Sequence, residues 1–305
     1  MSATTADNSG NALKRLFYRP PYIGLLAFVI VFFVQAIGHT VMIMMEKIFG
    51  EQYVYQSAFF LGLVGAVMLL IGMRSKSEIT ATWLGFFAGT FLWTGWVEFS
   101  FVAYAAHLGI QPRILNGVVS KPEYLVLPSS VGVLMSTLVY FMFNKETKCN
   151  FFHFFQRHLG MSTGKPSRDY ERNFAAITAL ETIYITWFCY IALIMMYDPA
   201  VLGDRHPVTY VLFFLNTVWA LYLIRRLMQF WKVTAAIRYG IATAIIAWNS
   251  EELLGRWKVF TEVWLHPQEY WLEMTLIFVA FLVMIGLFTL IPQNAKTAFD
   301  SPNDA

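Results

Sequence analysis

The run YIGLLAFVIVFFVQAIGHTVMIMM (22–45) contains no Asp, Glu, Lys or Arg. As a helix it is ~36 Å long, more than the ~30 Å hydrocarbon core of a bilayer. Comparable runs recur along the chain. They are continuous rather than alternating, which excludes a transmembrane β-barrel. Only 13% of the 305 residues are charged and 57% are hydrophobic, against roughly 25% charged in an ordinary soluble domain. A water-soluble fold of this size has no means of covering its surface. The expected class is an all-α, polytopic transmembrane bundle lying in a lipid bilayer, placed in the inner (cytoplasmic) membrane of a bacterium.

The hydropathy pattern predicts eight spans, at 21–45, 53–73, 79–107, 125–144, 173–197, 207–231, 234–255 and 268–291. Residues 1–20 form a cytoplasmic tail, 21–292 the helical domain and 293–305 a second tail. Pro207 and Pro267 suit first helical turns, where no backbone donor is needed, and Pro292 closes the last helix. VQA at 34–36 looks like a signal-peptidase site, but the apolar run continues to Met45, so the segment is expected to stay. With both termini inside, sixteen Lys and Arg fall on the cytoplasmic side and six outside. That asymmetry predicts an N-in, C-in orientation. Loop 145–172 is its most basic piece, read as a topogenic stretch near lipid headgroups or as a docking surface.

Two halves, 21–144 and 173–292, echo each other. Trp93…Glu98 matches Trp248…Glu252, and KPEYLVL (121–127) matches HPQEYWLEM (266–274). Four helices per unit predicts a parallel 4+4 repeat in which Glu98 and Glu252 are equivalent.

Function is expected to follow the buried polar groups, because an intramembrane charge costs ~2.5–3.5 kcal/mol or more. The topology places His39, Glu46, Glu98, His107, Asn249, Glu251, Glu252, Glu262, His266 and Glu273 toward the outer face. Glu181 lies nearer the cytoplasm. His39, Glu98, Glu252 and Glu273 are the candidate metal ligands, since imidazole with carboxylate suits iron or copper. Glu46, Glu181, His107, Asn249 and His266 are candidates for a proton path or for structural roles. Glu98 and His107 are nine residues apart and point opposite ways, so Glu98 needs a partner from another helix, and His39 is the expected one. Arg256 lies one turn beyond Glu252 and can pair with it. The tryptophans at 93, 96, 248, 257, 264 and 271 suit an interfacial belt. Cys149 and Cys189 have no disulfide or zinc spacing. The net charge of +3 indicates no nucleic-acid partner, and no phosphate-binding glycine loop occurs.

GHTVMIMMEKIF (38–49), followed by YVYQSAFFLGLVGA (53–66), resembles a helix and loop of the C subunit of the ammonia and methane monooxygenases. In that family a Gly-His precedes a Met-Glu-Glu-type helix end and a second apolar helix. The matching positions are Gly38, His39, Met45 and Glu46. Lys47 stands where the family has a second acid, and its Asp-x3-His pattern is absent. The resemblance covers about 30 residues and implies a membrane-embedded metal oxidase with its site toward the outer face. Three functional readings follow: a metal-dependent oxidoreductase acting on a small or lipophilic substrate, a non-catalytic anchor subunit of a larger membrane complex, and an ion-coupled transporter.

Overall fold

The computed structural model describes residues 19–115, 118–147, 149–164, 167 and 171–289. Lys14, Arg15, Lys148, Lys165, Arg168, Pro292 and Lys296, used above for topology or helix ends, lie outside these residues. The described chain is almost wholly helical. In order come α1 (Tyr22–Gly50), α2 (Gln52–Arg74), α3 (Glu78–Leu92), a π-helical segment (Trp93–Glu98), α4 (Phe99–His107), α5 (Pro122–Phe143), α6 (Asn150–His158), α7 (Phe174–Tyr197), α8 (Pro207–Leu227), α9 (Val233–Arg256) and α10 (Trp271–Thr289). A short antiparallel hairpin, Arg113–Leu115 with Val118–Ser120, joins α4 to α5.

Among the described residues, six helices are long and apolar enough to cross a membrane: α1, α2, α5, α7, α8 and α10. The other two expected spans differ from these for physical reasons. The segment 78–107 is interrupted by the π-helical turn, and α9 carries Arg238, Glu251, Glu252 and Arg256. Yet α9 is the most deeply packed helix of the bundle, with Val233, Ala236, Ile237 and Ala244 all fully buried. Its apolar face meets Ile23, Ala27, Ile30 and Val31 of α1 in the main core. Burial inside protein lets it keep polar groups that a lipid-facing helix would have to shed.

Small residues set the helix spacing. Gly240 of α9 lies against Ala27 of α1. Gly85 and Gly89 of α3, one turn apart, lie against Ala175 and Ala179 of α7. A Cβ on Gly89 would stand 2.8 Å from the Ala179 carbonyl oxygen, so the two backbones meet with no room for a side chain. Thus α1 packs closely on α9, and α3 on α7.

Several helix ends depart from the expected ones. His206 caps α8 by accepting from the Val208 amide at 3.2 Å, with Pro207 in the first turn as expected. Pro267 does not open α10. It lies in a turn after a 3-10 segment, Val263–Leu265, and α10 starts at Trp271. Glu262, His266, Glu269 and Glu273 are thus not one helical face. Helix α6 and the hairpin were not expected. Their apolar runs are too short to register as spans.

Gly89→Leu is expected to cost ~1–3 kcal/mol or more by overpacking, and so to lower the thermal midpoint of the detergent-solubilised protein. Gly132→Leu, at an exposed position of α5 with no neighbouring atoms within 4 Å, should leave it unchanged. Equal effects from both substitutions would refute the close-contact account.

Candidate functional site

Where α1 and α9 run side by side, they bring His39 to Glu252. His39 Nε2 stands 3.1 Å from Glu252 Oε1, with the two side chains 35% and 16% exposed. The same oxygen accepts from Trp248 Nε1 at 2.7 Å, and Oε2 accepts from the Tyr197 hydroxyl at 3.3 Å. Trp248 and Glu252 are one turn apart and share a helix face. The indole also stacks on the His39 ring, with centroids 5.8 Å apart and planes 21° from parallel. For His39 to donate, its Nε2 carries the proton. A carboxylate that would be costly alone is thus held by three donors.

Glu98 reaches the same region through the π-helical turn. Such turns hold an extra residue and re-aim the side chains around them. This one is pinned on its far side. Gly95 abuts Ala58 and Gly62 of α2, and Trp96 Nε1 donates to the Phe59 carbonyl at 3.0 Å. Trp93 is buried edge-on against Tyr190 of α7, with centroids 6.1 Å apart at 85°. The Tyr190 hydroxyl lies beside the Glu98 carboxyl, and His39 is within electrostatic reach of it. His39 therefore pairs directly with Glu252 rather than with Glu98. Trp248, His39 and Glu252 form one set; Trp93, Tyr190 and Glu98 form another, at offsets of 151 to 155 residues.

Further carboxyls surround the pair. Glu262, in the segment between α9 and α10, lies across Gly255. Burial, and then the Glu252 charge, push its carboxyl up to about 7 from an ordinary 4.5. Both carboxyl oxygens of Glu251 are buried and find no hydrogen-bond partner among the described residues. The 3-10 segment closes over the site. Trp264 packs on Trp248 at 5.0 Å, and its carbonyl accepts from the Thr40 hydroxyl at 3.1 Å.

Other expectations are revised. Arg256 does not pair with Glu252; it sits 3.8 Å from Asp204 and over the Tyr197 ring, because Glu252 turns inward to His39. Glu181 is matched by Arg238, whose Nε donates to Oε2 at 2.9 Å and whose Nη2 donates to Oε1. Arg238 is therefore an interior partner rather than a loop charge. Asn249 is buried beside Cys189. Glu46, His107, His266 and Glu273 are exposed. Trp93, Trp248 and Trp264 are buried in the bundle rather than belted around it. Among the described residues, no group of three or more His, Cys, Asp or Glu side chains is placed to hold a metal ion. His39, Glu98, Glu252 and Glu273 thus do not form one coordination sphere. The tyrosines at 190 and 197 went unrecognised in the sequence. The only sequence signal for Tyr190 was its offset of 151 residues from His39, close to the offset of 154 between Glu98 and Glu252.

Removing Arg238 strands a buried carboxylate, so Arg238→Leu should cost ~3–5 kcal/mol. The double variant Arg238→Leu/Glu181→Leu should recover most of that loss in chemical unfolding. An equally unstable double variant would show that the pair is not the cause. Glu262 holds its proton in the folded protein where the unfolded chain has lost it, so stability falls as pH rises from 4.5 to about 7. Glu262→Gln should flatten that part of the pH profile of thermal unfolding, and a profile unchanged by the substitution would contradict the assignment.

Comparison with protein-family models, with curated proteins and with solved structures finds no match to this chain.

Proposed function

We propose that this chain is a proton-coupled membrane transporter in which His39–Glu252 takes up and releases the coupling proton and Glu98 is its second station. The observation that carries this reading is the meeting of three helical segments at one polar site, His39 from α1, Glu252 from α9 and Glu98 from a π-helical break. Ionisable groups inside a membrane bundle mark proton relays. Interrupted helices at the polar centre are the usual architecture of secondary transporters. Carboxyl, imidazole and phenol groups exchange protons without a metal ion.

In this reading the bundle has eight spans, with α3–α4 as one and α9 as another, and both termini lie in the cytoplasm. Its halves are parallel repeats related by a pseudo-twofold axis along the membrane normal. Two reciprocal contacts support the repeat. Ala27 meets Gly240 as Ala179 meets Gly89, and Trp248–His39–Glu252 corresponds to Trp93–Tyr190–Glu98. The halves differ in one proton carrier, imidazole in the first and phenol in the second. An imidazole has two ring nitrogens and can accept a proton on one while donating from the other, whereas a phenol has a single oxygen, so the two halves are not chemically equivalent. Glu181–Arg238 lies fourteen residues along α9 from Glu252, ~21 Å away. It ends the polar series with a neutralised pair.

Proteoliposomes with an internal pH dye and an imposed potassium diffusion potential test the proposal. The native protein should carry protons, and Glu252→Gln or Glu98→Gln should slow the flux about tenfold or more. Fluxes equal to those of empty liposomes, or unaffected by both substitutions, would overturn it.

A further inference from the structure

The connection between α5 and α7 carries a helix whose open face suits a bilayer surface. One side of α6 is docked on the bundle. Phe152 is 1% exposed and packs on Phe141 and Tyr184. Gln156, also buried, donates to the Met142 carbonyl at 2.7 Å, and His153 Nδ1 lies 3.0 Å from its Oε1. These contacts fix how the helix is rotated. The arc left open holds Phe151, Phe154, Phe155 and Leu159, exposed by 42%, 49%, 36% and 64%. His158 lies within that arc, its ring tilted against Phe154 with centroids 4.1 Å apart and planes at 36°. Arg157 takes the polar edge, its Nε donating to the His153 carbonyl at 3.2 Å. Lys145 is exposed just before the helix.

A nine-residue helix cannot cross a membrane. Four large apolar side chains on one arc of a connecting segment would be costly in water. A narrow docked side, an apolar open arc and a basic edge are the features of a helix lying in the plane of a membrane interface. The charge of the segment selects the lipid. Residues 145–172 contain six Lys and Arg against three Asp and Glu, and such segments are drawn to anionic headgroups.

We infer that α6 is an interfacial helix: Phe151, Phe154, Phe155 and Leu159 insert among the acyl chains of the leaflet it faces, while Lys145 and Arg157 bind anionic lipid phosphates. Because α6 is docked on Phe141 and Tyr184, this contact also holds the α5–α7 connection against the bilayer.

The test uses the full chain carrying Cys149→Ser and Cys189→Ala, with a spin label on a cysteine at position 154 or 157. Each protein is reconstituted in vesicles of phosphatidylcholine with phosphatidylglycerol. The ratio of oxygen to water-soluble nickel-chelate accessibility should be at least about twofold higher at 154 than at 157. With the label at 154, the ratio should fall in vesicles of phosphatidylcholine alone. Lys145→Gln/Arg157→Gln should abolish that lipid dependence. Equal accessibility of the two sites to the nickel chelate would place the face in water and overturn the inference. Shielding of 154 from both reagents would mean that protein covers the face, a second copy or another chain, and would overturn it too. A ratio at 154 indifferent to phosphatidylglycerol would overturn the anionic-lipid assignment.

Discussion

Backbone meets backbone where α1 crosses α9 and where α3 crosses α7, and the polar chemistry of this bundle depends on that approach. Ala27 on Gly240, and Ala175 and Ala179 on Gly85 and Gly89, bring helix axes closer than larger side chains would permit. In an apolar solvent the hydrophobic effect does not drive helices together, so close packing and hydrogen bonding must do so. With α1 drawn onto α9, His39 can reach Glu252. With α3 drawn onto α7, Tyr190 lies against Trp93 and beside Glu98.

The polar groups in turn determine where helical regularity breaks. Glu252 needs donors from three directions and finds them on α1, α7 and its own helix. Glu98 comes to the same region from a helix whose turn is widened over Trp93–Glu98, and that turn is held by Gly95 on α2 and by the Trp96 indole on the Phe59 carbonyl. Single π-helical turns of this kind are frequent at functional sites. Glu181 shows the opposite case. Both of its oxygens are taken by Arg238, and a fully matched ion pair stabilises one arrangement.

Much of the fold was legible in the sequence. Charge-free stretches long enough to cross a bilayer, such as 22–45, identify spans because lipid offers the backbone no other partner than itself. The two segments outside the six long apolar helices, 78–107 and α9, are the ones that carry Glu98 and Glu252; a helix that holds buried polar groups is less apolar than one that faces lipid. The Trp93…Glu98 and Trp248…Glu252 echo was visible in the sequence, and the structure gives each Glu a neighbour on another helix. Its partner residues, His39 and Tyr190, were hidden as a pair because imidazole and phenol share no letter, only a position. Arg256 misled for a simple reason. The i, i+4 rule describes an isolated helix surface, and here Glu252 faces inward to His39 while Arg256 turns to Asp204.

By itself the sequence determined that this is a helical membrane protein with His39, Glu98 and Glu252 among its costly polar groups. Hydropathy, charge content and spacing are local properties, and a bilayer acts on them segment by segment. Only the tertiary structure decided that His39 belongs to Glu252, that Arg238 belongs to Glu181, that a π-helical turn carries Glu98, and that α6 lies on the flank of the bundle with an apolar arc open. Those outcomes depend on which small residues let which helices touch, and on how each helix is rotated about its axis. Both are settled by packing between segments far apart in the chain.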